Sequence, residues 1–155
     1  MDLYLGIKLL HILSATLLFG TGLGTAFFMF SAYRSGDARA WSRTAETVVR
    51  ADAYFTTPAV VIQLLTGLWL TQRLGIPFAS VWFAAVIGLF VLVGACWLPV
   101  VWIQIRLREE LRAGAGPDAC RRLMRLWIAL GVPAFLSVVV IFGLMVYKPW
   151  IGDTL

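Results

Sequence analysis

Four stretches of this chain, residues 3–30, 54–71, 81–105 and 126–146, are apolar and almost free of charge. Each reaches the length, about 18 residues or more, at which a helix spans the hydrocarbon core of a bilayer. The connections between them are too short to hold a soluble domain, and with 61% of the residues hydrophobic and 14% charged the chain could hardly hide that surface in water. The sequence therefore reads as an all-α, four-transmembrane-helix bundle, a single integral membrane domain over 1–155. The start, Met1-Asp2, is acidic and the run behind it is too long for a cleavable signal peptide, so the first helix is expected to remain in the protein.

The net charge of +5 is unevenly placed. Arg34, Arg39, Arg43 and Arg50 lie between the first and second runs, and Arg106, Arg108, Arg112, Arg121, Arg122 and Arg125 between the third and fourth. The second connection has only Arg73, and the two ends only Lys8 and Lys148. The positive-inside bias then puts the first and third connections in the cytoplasm and both termini outside, N-out/C-out, in the cell's inner (plasma) membrane. Basic loops so placed face anionic head groups, each charge worth about 1 kcal/mol near the surface. The lipid bilayer is the expected partner, and nucleic acid is not. Cys96 lies within the third run and Cys120 in a cytoplasmic connection, so their depths differ and no disulfide is expected.

The first run carries the only histidine, His11. An ionisable side chain at membrane depth is costly and points to function. At 100° per residue, Lys8, Ser14, Ala15, Leu18, Gly22 and Thr25 fall within about 60° of His11, a small and polar face. Leu9, Leu13, Gly20, Gly24 and Phe27 occupy the opposite side. Gly20-x-x-x-Gly24 is a small-residue pattern suited to close packing within the bundle or to a seam between two copies in a homo-oligomer. The link 35–53 mixes charges with Trp41, Val48 and Val49 and reads as an amphipathic helix on the inner membrane surface. Pro58 is placed in the first turn of the second helix, where its missing N–H has no partner to lose. Gln63, Thr66 and Gly67 form a polar stripe that must face protein, Trp69 and Trp82 flank the outer turn, and Pro99 and Pro133 bend helices three and four.

In this topology Lys8, His11 and Lys148 share the outer third of the bundle. A neutral imidazole with ammonium groups nearby suits an iron porphyrin: the histidine ligates iron and the lysines pair with propionates. The alternative is an imidazole that only hydrogen-bonds between helices, with lysines that snorkel to the interface. Zinc or copper would require more ligands than the chain offers. No phosphate loop and no Ser-His-Asp arrangement is present at a suitable depth, and no Asp or Glu lies within the four runs for proton coupling.

Lys8-x-x-His11-Ile12, Thr56-Thr57-Pro58-Ala59 with Gly67-Leu68-Trp69-Leu70, and Val146-Tyr147-Lys148-Pro149-Trp150 together resemble motifs of the HemJ-type protoporphyrinogen oxidases. The chain looks closer still to a sister group of small predicted integral membrane proteins. The resemblance implies haem b held by His11 as axial ligand, Lys8 and Lys148 as cofactor-binding partners, and a redox or haem-pathway role with a tetrapyrrole as substrate. Where those enzymes carry a further histidine in helix three and an Asn-Glu-x-Pro motif entering helix four, this chain has Gly94-Ala95-Cys96-Trp97 and Ala129-Leu130-Gly131-Val132-Pro133. No catalytic residue is assigned, and the rival expectation is a cofactor-free structural or accessory membrane subunit.

Overall fold

The computed structural model describes residues 2–148. Among them there are only helices: α1 (Leu3–Arg34), α2 (Ala38–Ala51), a π-helical turn (Asp52–Thr56), α3 (Thr57–Arg73), α4 (Val81–Arg112) and α5 (Pro117–Tyr147). Four helices are long and apolar enough to cross a membrane, with α2, the π turn and α3 forming one continuous rod of 36 residues. Pro149 and Trp150 of the closing motif lie outside the described residues.

The helices run further than hydropathy alone suggests. α1 continues from 30 to Arg34, and α4 carries on past 105 to Arg112. α5 begins at Pro117, nine residues before the apolar run, so the third connection shrinks to a tight turn around Gly114, whose φ is +86°. Hydropathy marks only the segment that meets lipid; the polar turns beyond it are helical because they pack on one another. Proline at the start of α5 fits, since its absent N–H would be an unpaired first-turn donor. Caps mark the other starts, with Asp2, Asp37 and Ser80 side chains accepting from first-turn N–H groups.

The link 35–53 is helical as expected, but it does not present its apolar side to the membrane. Trp41, Ala45 and Val48 are buried in a core with Met29, Ile103, Leu107, Leu111, Met124 and Trp127. This core sits at the arginine-rich end, where helix extensions from all parts of the chain meet. Charges gather at its rim: Glu46 pairs with Arg50 and, at 2.8 Å, with Arg112, while Arg106 reaches Glu110 at 3.1 Å. The Arg112 guanidinium hydrogen-bonded to Glu46 holds that carboxyl below its usual range.

Pro58 stands in the first turn of α3, as expected, but that turn is not a free helix start. The rod continues into it from α2, so the proline ring would clash with the carbonyl of Tyr54 and remove a hydrogen bond. The π turn relieves this. The Thr57 N–H reaches back to the Asp52 carbonyl, which also accepts from the Thr57 hydroxyl at 2.9 Å. π-bulges of this kind recur at functional sites.

Away from the core, the helices associate as two pairs. α1 packs along α3 and α4 along α5, whereas α3 makes no extended contact with α4 or α5. The pairs touch along a thin α1–α5 seam where Phe19 meets Phe135 and Phe142, with ring centroids 5.0 and 5.4 Å apart. Trp82 Nε1 donates to the Leu144 carbonyl at 2.8 Å and ties the start of α4 to the end of α5. Gly20 and Gly24 meet no close neighbour among the described residues, for a Cβ built at either finds no atom of another element within 4 Å. Close packing of this glycine pair within the bundle is therefore not observed. Both cysteines are free and buried.

Candidate functional site

Because the helix pairs diverge, they enclose a cleft of about 520 Å³. This is within the range, roughly 300–1,000 Å³, of small-molecule sites. His11, Ala15, Leu18, Gly22 and Thr25 line it from α1, the small face that helical spacing picked out. Gly94 and Gly131 keep the walls of α4 and α5 low, and Phe90, Phe135, Phe142 and Met145 make those walls apolar.

One polar station lies on the α1–α3 wall. His11 Nδ1 is 2.8 Å from Thr66 Oγ1, and Nε2 is 3.0 Å from the Gln63 amide nitrogen. The Thr66 hydroxyl donates to the Ile62 carbonyl at 2.6 Å, so its oxygen accepts from Nδ1–H. Nε2 then accepts from the Gln63 NH2 group, and the Ser14 hydroxyl donates to Gln63 Oε1 at 2.5 Å. The imidazole in this assignment is the neutral Nδ1–H tautomer with every group satisfied, as a polar cluster facing lipid-depth protein requires. Gly67 lets the ring lie flat on α3: a Cβ there would stand 3.2 Å from His11 Cε1.

Haem b is only partly matched by these residues. The cleft has the size and the imidazole stands on its wall, but both ring nitrogens already hold hydrogen bonds. Among the described residues no Lys or Arg lines the cleft to meet propionates. The structure does not bring Lys8 or Lys148 to it. Lys8 is exposed, its ammonium 5.9 Å from the Tyr4 ring centroid, and Lys148 is exposed just past α5 in a left-handed conformation. Among the described residues no group of three or more His, Cys, Asp or Glu could hold a metal ion.

A second polar station lies at the opposite, arginine-rich end of the same cleft. Asp52 lines it with 6% of its surface exposed, and its carboxylate accepts from the Thr56 hydroxyl at 2.7 Å. Gln104, Trp97 and Trp127 line this end too. Gln104 Oε1 and both indole N–H groups are buried without a hydrogen-bond partner among the described residues. Sequence reasoning left Asp52 in a surface link because hydropathy placed it two residues before the apolar run. The signal was there: the stripe Gln63–Gly67 continues backwards through Val60 and Thr56 to Asp52 at spacings of three and four.

A family model described as a predicted integral membrane protein (DUF2269) matches residues 5–149. Its description names no cofactor or reaction, and nothing in the match ties the chain to the HemJ-type oxidases. No curated protein and no solved structure matches.

Proposed function

The chain belongs to the DUF2269 family of predicted integral membrane proteins, and on that premise we propose that it is a membrane-embedded binding protein that holds a hydrophobic small molecule between its two helix pairs. The observation that carries this is the cleft itself, apolar along its length with a fixed hydrogen-bonding station at His11, Gln63 and Thr66. Cavities of this volume with a few convergent polar groups are the usual form of small-molecule sites. In the proposed orientation both termini face outward from the plasma membrane and the station lies toward the outer side.

Haem b, with His11 as axial ligand and a redox or haem-pathway role, is the narrower form of this reading. It requires Gln63 to release Nε2, and it leaves Lys8 and Lys148 to meet propionates from outside the cleft. A specific observation favours the second reading, a cofactor-free accessory subunit: both imidazole nitrogens hold hydrogen bonds to side chains of α3.

Native mass spectrometry of gently purified protein tests the proposal. A bound small molecule is expected in the wild type and should be lost in Gly22→Phe, which fills the cleft from a position where a Cβ meets no neighbour. No bound species in wild type and identical spectra for both forms would favour the accessory subunit. A Soret band in protein expressed with ample haem, lost in His11→Ala, would support the narrower form; its absence removes haem alone.

A further inference from the structure

We propose that the arginine-rich end of the cleft is a site for the ammonium group of a hydrophobic amine, with Asp52 as its counter-ion and Gln104 as a second hydrogen-bond acceptor. This rests on the cleft being a binding site and names the class of molecule it takes.

Asp52 is almost wholly withdrawn from solvent, yet no Lys or Arg among the described residues pairs with it. Of the cations at that end, Arg50 and Arg112 pair with Glu46, and Arg106 and Arg108 with Glu109 or Glu110. A buried carboxylate with only neutral donors, the Thr56 hydroxyl and the Gln104 amide, is costly, and a cation reduces that cost. Gln104, 2% exposed, adds a carbonyl oxygen with no donor opposite it. A carboxylate and an amide oxygen are both acceptors, so the group that completes them carries N–H donors and positive charge. Trp97 and Trp127 stand on the same wall, and aromatic faces attract cations.

The rest of the cleft suits the remainder of such a molecule. From Asp52 to Gln63 the rod advances by eleven residues, about 16 Å at helical rise. That path is apolar and ends at the His11 station, giving room for an alkyl or aromatic body of moderate length. An anionic amphiphile would be repelled by Asp52, and a neutral one would leave its charge unpaired.

The test uses the full chain in phosphatidylcholine nanodiscs, with calorimetric titration of decylammonium, decanol and decyl sulfate against empty discs. Saturable binding of decylammonium is expected, with weaker or no saturable binding of the other two. Asp52→Asn should weaken it roughly tenfold or more, since a hydrogen bond to a charged group contributes about 1.5–3 kcal/mol. Asp52→Glu should retain most of the affinity, and Gln104→Leu should weaken it in a protein whose carboxylate is intact. An unchanged dissociation constant in Asp52→Asn, or in Gln104→Leu if the first variant does not fold, overturns the proposal. Equal binding of decanol that Gly22→Phe abolishes would overturn the ammonium site while leaving the cleft as a binding site. No saturable binding of any of the three would overturn both.

Discussion

Replacing Gln63 by leucine should move stability and haem retention in opposite directions. The side chain donates to His11 Nε2 at 3.0 Å and accepts from Ser14, so Gln63→Leu removes these two contacts and leaves His11 Nδ1 with Thr66 at 2.8 Å. With Gln63 gone, Ser14 turns its single hydroxyl hydrogen to the His11 carbonyl, 2.9 Å away, which leaves Nε2 as the one orphan. Interhelical hydrogen bonds at membrane depth contribute about 0.6 kcal/mol on average and up to about 1.7. Leucine gains little in return, because lipid is as apolar as a leucine side chain. The expected cost is therefore about 0.6–1.7 kcal/mol, measured as the shift in the SDS-induced unfolding midpoint in mixed micelles. A double-mutant cycle with His11→Ala isolates the pair, and a coupling below about 0.3 kcal/mol would refute the hydrogen-bonded imidazole. The same variant exposes the Nε2 lone pair to the cleft. If His11 ligates haem, Gln63→Leu should hold more haem than wild type at equal supply, read from the Soret band. Less haem, or no change, would show that Gln63 does not compete with iron.

Leu107 has no exposed surface in the inner core, so Leu107→Ala should cost about 2–5 kcal/mol in the same unfolding assay; a cost under about 1 kcal/mol would contradict the packing described for α2. Gly20→Leu with Gly24→Leu should leave the single chain as stable as before, or more so by up to about 1 kcal/mol per site, because neither position has a neighbour and glycine is a poor helix former. A drop in cross-linked dimer in that variant, with stability unchanged, would show that a second copy uses this face. Glu46 has a carboxyl pKa depressed mainly by its hydrogen bond to Arg112, so its stabilising contribution is complete above the ordinary value of 4.5 and is lost as pH falls through the depressed folded value. Glu46→Gln should flatten that acid limb of a pH–stability profile, and an unchanged limb would refute the assignment. A topology reporter at the C-terminus should be active only when it works outside the cytoplasm; activity confined to the cytoplasm would invert the bundle.

Four long apolar runs set the number of membrane helices, since a bilayer core admits few other ways to satisfy a backbone. The lone histidine and the stripe Gln63, Thr66 and Gly67 were likewise legible in order along the chain, as was the small face of α1 that lines the cleft. Hydropathy carries no information about where a helix stops once it leaves lipid, so the extensions of α4 and α5 emerged only from their packing on Trp41, Ala45 and Val48. The same ambiguity hid what α2 packs on, because an amphipathic face reads alike whether membrane or protein covers it. Pairing is the other thing sequence left open. A helix at membrane depth has no strong hydrophobic reason to choose one neighbour over another, so small steric and hydrogen-bond terms decide. Those terms join α1 to α3 through His11, and α4 to α5 through Trp82 and Leu144. The gap between the pairs, with Asp52 turned into one end by the π turn that Pro58 imposes, is a consequence of that pairing and exists in no single helix.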